Sequence, residues 1–164
     1  MMARIIMINT KSPKPIVLGL GNPLFQDEGL GIHVIHRLME GELDGRTELI
    51  DGGTDGLILL GTVEEARHLI VIDAIDGGFP PGTINEWEGC QIPLFAHGRL
   101  SPHQLGFQEV LALARMRGKF PEHMILFGVQ SKSLDWGTDL TPEVAGSVPT
   151  VINLVHKQIE NWLA

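Results

Sequence analysis

The chain has 164 residues, of which 43% are hydrophobic, and this length and composition suit one domain with a sizeable core. Its formal net charge of −8, with no cluster of Lys and Arg, argues against a nucleic-acid partner. A single cysteine, Cys90, excludes an internal disulfide and a cysteine-rich metal site. No apolar run reaches the roughly 18 residues that a membrane-spanning helix needs.

Two segments are predicted along the chain. Residues 1–14 have a short apolar core but no small-residue cleavage site, so they are predicted to be a flexible N-terminal extension and not a signal peptide. Residues 15–164 show no repeat, no low-complexity tract and no linker, and are predicted to form a single α/β domain.

The first half of this domain alternates apolar strand runs with amphipathic helices. Residues 15–20 are predicted to form a buried strand, and residues 29–40 the helix that follows it. The buried stripe of that helix is predicted to comprise Ile32, Ile35, Leu38 and Met39. A second strand at 47–51 and a helix at 55–67 come next. The inward side chains of this helix are predicted to be Leu57, Leu60 and Val63.

The second half continues the alternation. Residues 69–75 form the clearest central strand, whereas residues 83–88 are shorter, alternate in character and suit an edge. A helix at 101–117 is predicted to begin with Ser as its N-cap and Pro at its first position. A buried strand at 124–129 and one final helix at 141–162 complete the domain. The pattern predicts an open, mostly parallel sheet with helices on both faces.

The turn after the first strand is the most distinctive stretch of the chain. It passes through two glycines and ends in Asp27 and Glu28, where a helix is predicted to begin. A phosphate-binding loop would present glycines and backbone N–H groups there, because its ligand is an anion. Asp27 is predicted to cap the helix, which leaves Glu28 to face a ligand. Acids at this position favour a site for a cation or a proton.

Other chemically active side chains fall at equivalent positions. In open parallel sheets the site lies outside the carboxyl ends of the strands. Glu28, Asp73 and His103 are predicted to lie there, with Asp51 as a fourth candidate. Each of them alone is also compatible with a structural or solvated role. Together, two carboxylates and a neutral imidazole form an open three-ligand set that suits zinc, nickel or iron.

Two other patterns are weaker. Gly19 and Gly21, with Asp51 about thirty residues later, resemble a dinucleotide-binding fingerprint, but Leu24 occupies the place of its third glycine. His33 and His36 lie three residues apart on a predicted helix, where they could share a metal. They fall off the apolar stripe, which favours a solvated face.

Six segments, in this order and with natural spacing, carry a family resemblance. They are GLGNPLFQDEGLG at 19–31, DGGTDGL at 51–57, VIDAID at 71–76, PGT at 81–83, LSPHQLGFQEVL at 100–111 and LFGVQ at 126–130. With them the chain resembles the hydrogenase maturation endopeptidases, which process the large subunit of nickel–iron hydrogenases. The resemblance covers about residues 15–163.

The resemblance implies a twisted five-stranded sheet between helices and a monomer. It implies cleavage of one peptide bond near the carboxyl terminus of the large-subunit precursor, after nickel insertion and in the cytoplasm. Glu28, Asp73 and His103 correspond to the family's metal-contacting positions, and the leading hypothesis is that the nickel arrives with the substrate, so that the free protein need hold no metal. Asp51 corresponds to the acid linked to specificity. With Gly52 and Gly53 it is expected to bind the substrate.

The resemblance leaves the mechanism open. Substrate-borne nickel could polarise the scissile carbonyl, activate a water molecule or only register the substrate. Alternatively, Glu28 and Asp73 could share one proton and act as a carboxylate pair. A non-enzymatic alternative is a nickel-dependent module that holds the large subunit without cutting it.

Overall fold

The computed structural model describes residues 11–41, 43, 45–92 and 106–164. Its strands and helices, in chain order, are β1 (Ile16–Leu20), α1 (Leu30–Glu40), β2 (Glu48–Gly53), α2 (Gly56–Glu65), β3 (His68–Ile75), β4 (Ile84–Glu88), α3 (Phe107–Met116), β5 (His123–Gln130), α4 (Pro142–Ala145) and α5 (Val148–Leu163). Two short 3-10 turns, at Gln26–Gly29 and Gly89–Gln91, precede α1 and follow β4.

The strands form one five-stranded sheet in the order β2-β1-β3-β5-β4. The first four strands are parallel, and β4 pairs antiparallel with β5 at the edge. This arrangement confirms the predicted α/β class and the mostly parallel sheet. It also confirms the edge position predicted for residues 83–88, whose alternating character suits a strand that is only partly covered.

Helices cover both faces of the sheet, as predicted. One core lies between the sheet and α1, α4 and α5, and the other lies between the sheet and α2 and α3. Alternate strand residues contribute to the two cores because successive side chains point to opposite faces. On β3, for example, Ile70 and Ile72 belong to the first core, whereas Leu69 and Val71 belong to the second.

Two residues predicted to be inward lie at the surface. Met39, near the end of α1, and Leu57, in the first turn of α2, are exposed. On α2 the buried stripe is Leu59 and Val63, which are four residues apart and therefore share a face. The buried stripe of α2 therefore begins at Leu59, two residues after the predicted start at Leu57.

The predicted final helix is two helices. The short α4 ends at Ala145, and α5 begins at Val148 with Pro149 in its first turn. A proline inside a continuous helix would remove one hydrogen bond and collide with the preceding turn, so the helix restarts where proline is tolerated. No helix of the described residues, α5 included, is long and apolar enough to cross a membrane.

The last residues of the predicted N-terminal extension contact the domain. Ser12 forms a parallel bridge with Ala66. The Lys11 ammonium donates hydrogen bonds of 3.2, 3.0 and 3.2 Å to the backbone oxygens of Ala66, Lys119 and Phe120. Burial lowers the pKa of the Lys11 ammonium from its ordinary value. These contacts join the start of the described chain to the ends of α2 and α3.

Candidate functional site

The carboxyl end of β2 contains a bulge at the Asp-Gly-Gly motif. Gly19 of β1 pairs with Asp51, but the next residue, Leu20, pairs with Gly53, so Gly52 is the extra residue. Bulges re-aim neighbouring side chains and are common beside active sites. Gly53 has a φ of +53°, which favours glycine. The bulge and the positive φ therefore explain the glycines at positions 52 and 53, next to Asp51 at the carboxyl edge of the sheet.

The start of α1 brings Glu28 to the same edge. A Cβ added to Gly31 would lie 2.3 Å from the backbone oxygen of Leu20 and 2.4 Å from that of Ile72. Glycine at this position therefore lets α1 approach both β1 and β3 closely. The 3-10 turn that carries Glu28 contacts β3. Asp73, the second candidate acid, follows Ile72 on that strand.

Asp73 lies in the buried part of β3. It is only 8% exposed, in a strand that is otherwise apolar beyond its first residue. Val71 belongs to the core under α2 and α3, and by alternation Asp73 points to that same face. Asp51 lies level with Ile72 across β1, so the two acids are about two strand spacings, roughly 10 Å, apart.

The third predicted ligand, His103, lies outside the described residues. It falls in segment 93–105, which precedes α3 and includes the predicted helix start at Ser101 and Pro102. Within the described parts of the chain, no group of three or more His, Cys, Asp or Glu side chains is placed to hold a metal ion. The site of Glu28, Asp73 and His103 therefore stays a prediction.

Asp51 has a partner that the sequence did not indicate. The Nε2 atom of His36, on the outer face of α1, lies 3.0 Å from the Asp51 Oδ2 atom. Both side chains are exposed. The contact links α1 to the bulged end of β2. Its only sequence signal is a histidine off the apolar stripe of α1.

Asp27 does not cap α1, so that prediction is wrong. Its buried carboxylate accepts hydrogen bonds from the backbone N–H groups of Lys132, at 2.8 Å, Ser133, at 3.0 Å, and Thr141, at 2.8 Å. The Thr141 hydroxyl lies 3.0 and 2.9 Å from the two carboxylate oxygens. Asp27 therefore fixes the loop between β5 and α4 against the turn that carries Glu28. The adjacent acids Asp27 and Glu28 have different environments, one buried in a loop and the other half-buried at the edge.

Gln130 fixes the loop that follows β3. This buried side chain, at the end of β5, accepts N–H bonds of 2.8 Å from Gly77 and 3.3 Å from Phe79. Its amide nitrogen donates to the Asp76 carboxylate at 3.3 Å and to the Ser131 carbonyl at 3.0 Å. A polar residue that ends an apolar strand was the signal for this role.

The comparisons with known proteins agree with each other. The family model HycI, hydrogenase maturation protease, matches residues 32–158. The hydrogenase expression/formation protein HupD of Rhizobium leguminosarum bv. viciae is 41% identical over 154 residues, which cover 92% of this chain and 76% of that protein. The hydrogenase 2 maturation protease of Escherichia coli (strain K12) is 37% identical over 142 residues, 85% of this chain and 87% of that protein.

A solved structure shows the same architecture. The hydrogenase maturating endopeptidase HybD from E. coli superimposes with a TM-score of 0.81 at 35% identity, over 90% of this chain and 93% of that one. On the family model, the sequence identities and the fold together, the chain belongs to the hydrogenase maturation protease family.

Proposed function

We propose that the protein is an endopeptidase that removes the carboxyl-terminal tail of a nickel–iron hydrogenase large-subunit precursor after nickel insertion. The observation that carries the proposal is the contact between the turn that carries Glu28 and β3, the strand that carries Asp73, in a chain of the maturation protease family. Two acids at the carboxyl edge of a parallel sheet suit a cation or proton chemistry. We place the reaction in the cytoplasm, because processing should precede any export of a folded hydrogenase.

The residues have separate roles in this proposal. Glu28, Asp73 and His103 contact the nickel that arrives with the substrate. Two carboxylates and an imidazole suit nickel by donor type. Asp73 points to the face that α3 covers, and His103 precedes α3 in the chain, which supports a common site. Asp51 and its two glycines bind the tail of the precursor.

Two chemistries fit these residues. In the first, nickel held by the substrate and these side chains polarises the scissile carbonyl or activates the attacking water. In the second, one carboxylate takes a proton from water while the other donates a proton to the leaving amide nitrogen. Both need Asp73, and they differ in whether a nickel-free precursor is cleaved.

The test is the intact mass of a purified precursor, nickel-loaded or nickel-free, with and without this protein. Loss of a short carboxyl-terminal peptide from the loaded precursor alone supports the metal-reading endopeptidase. Loss from both precursors supports the carboxylate pair. A stable complex on a sizing column with no loss of mass overturns the endopeptidase assignment and favours the non-cleaving module.

Variants test the site itself. We expect Glu28→Gln and Asp73→Asn to abolish cleavage while circular dichroism shows that both still fold. The matched control is Glu40→Gln, at the exposed far end of α1, which should cleave like the wild type. Full cleavage by the Asp73 variant would show that the active site lies elsewhere.

A further inference from the structure

An exposed apolar surface lies next to the Glu28 turn. Trp136 is 76% exposed and Leu24 is 51% exposed. The ring of half-buried Phe25 has its centroid 4.6 Å from that of Trp136, with 37° between the two planes. We call Leu24, Phe25 and Trp136 the apolar ledge. Contiguous exposed apolar surface often marks an interaction site, and Trp is enriched among the residues that dominate binding energy.

The apolar ledge is held rigidly. Gln26 donates its backbone N–H to the Gly137 carbonyl at 2.8 Å, and Gly137 donates to the Leu24 carbonyl at 2.9 Å. The loop that carries Trp136 is also fixed by the Asp27 carboxylate, which accepts backbone N–H groups on both sides of Trp136. Gln26 itself has a φ of +46°, a conformation that persists in a non-glycine residue only when its surroundings enforce it. A surface ordered in advance loses little conformational freedom when a partner binds.

The apolar ledge is continuous with the proposed active site. Phe25 lies three residues before Glu28, so their Cα atoms are at most about 11 Å apart. An extended peptide covers that distance with about three or four residues. An occupant of the apolar ledge therefore belongs to the stretch immediately beside the scissile bond.

The charges around the apolar ledge narrow the chemistry of its occupant. The loop from 131 to 141 exposes the acids Asp135 and Asp139. Its one cation in the sequence, Lys132, lies 2.5 Å from the Glu143 carboxylate and is therefore compensated. The chain as a whole carries a formal charge of −8. Charge complementarity favours an apolar side chain flanked by Lys or Arg.

We propose that the apolar ledge docks an apolar residue, flanked by basic residues, within about four positions of the scissile bond of the large-subunit precursor. This inference rests on the proposed function and adds the substrate feature that the site reads. It makes Trp136 and Leu24 binding residues, with no part in the chemical step.

Cleavage kinetics on the nickel-loaded precursor test the apolar ledge. For Trp136→Ala we expect kcat/KM to fall about tenfold, mainly through KM, as for loss of an aromatic binding residue. Trp136→Phe keeps an apolar ring and should recover most of that loss. Met116→Ala is the matched control, since Met116 is 85% exposed on α3 and away from the turn; it should not change the kinetics. Added salt should raise KM in the wild type, because exposed charges are screened.

A binding measurement separates this inference from the proposed function. The chain has three tryptophans, and Trp136 is the one in the apolar ledge. The change in intrinsic fluorescence on adding the precursor should therefore be lost in Trp136→Phe. If the wild type binds the precursor through Trp136 but never cuts it, the endopeptidase proposal fails and so does the stated distance to a scissile bond, whereas the apolar ledge stays a docking surface for the precursor. If the wild type cuts it and Trp136→Ala has an unchanged KM, the apolar ledge is overturned. Self-association of the wild type that Trp136→Ala abolishes would also overturn it, by assigning the surface to a second copy of this chain.

Discussion

Replacing Asp27 by Asn tests how far one buried carboxylate organises the site. The carboxylate accepts three backbone N–H groups and one hydroxyl, whereas an amide keeps a single oxygen. If that oxygen keeps the N–H groups of Lys132 and Ser133, the amide nitrogen meets the N–H of Thr141. One charge-assisted hydrogen bond is then lost, at about 1.5–3 kcal/mol, and two become weaker.

The loss is partly offset because a neutral amide is less costly to bury than a carboxylate. We therefore expect Asp27→Asn to lower the free energy of unfolding by about 3 kcal/mol. For a chain of this length that corresponds to a fall in Tm of about 6–12 °C. Urea unfolding followed by circular dichroism measures the first quantity, and a thermal scan measures the second. Hydrogen exchange of the Thr141 amide should lose its protection in parallel.

Asp55→Asn is the matched control for this change. Asp55 also accepts two backbone N–H groups, at 3.0 and 3.5 Å, but it does so as an exposed N-cap of α2. Asn and Asp are nearly equivalent as N-caps, so the control should stay within about 0.5 kcal/mol of the wild type. An Asp27 variant as stable as the control would refute the view that this carboxylate holds the loop.

Three further predictions concern other parts of the molecule. Gly52→Ala places a Cβ 2.6 and 2.8 Å from two buried leucine side chains, so we expect a loss of about 1–3 kcal/mol in urea unfolding and weaker cleavage. Gln130→Leu leaves the N–H groups of the loop after β3 without their acceptor, so that loop should exchange hydrogen faster and stability should fall by about 1–3 kcal/mol. Burial and the stacked His123 lower the pKa of His68 below its ordinary 6.5, so the unfolded chain binds the proton more readily. The free energy of unfolding should therefore decline as the pH falls from about 7 to 5. His68→Gln should flatten that decline, whereas His156→Gln should not. An equal dependence of stability on pH in the two variants would contradict this role of His68.

The strands were predictable because each is a run of apolar residues that two helical layers cover. Asp73 was predicted to be a site residue on the same basis, because an acid is unusual within a buried apolar strand. Asp27 was misassigned because its partners lie more than 100 residues away, where a local pattern carries no information. The break before α5 did have a local signal, Pro149, which the apolar periodicity of the region concealed. His103 lies outside the described residues, so its part in the site stays a prediction.

The contacts of Asp27 also bear on when the site can form during synthesis. They span 105 to 114 residues, so β1, α1 and β3 can emerge and pack before the partners of this carboxylate exist. The turn with Glu28 and the surface around Trp136 acquire their fixed geometry only after β5 and the following loop are made. Contacts of such sequence separation form late, because a long loop must close first. A nascent chain that ends before Thr141 would contain both candidate acids, Glu28 and Asp73. It would lack the complete set of hydrogen bonds to Asp27 that fixes the turn carrying Glu28.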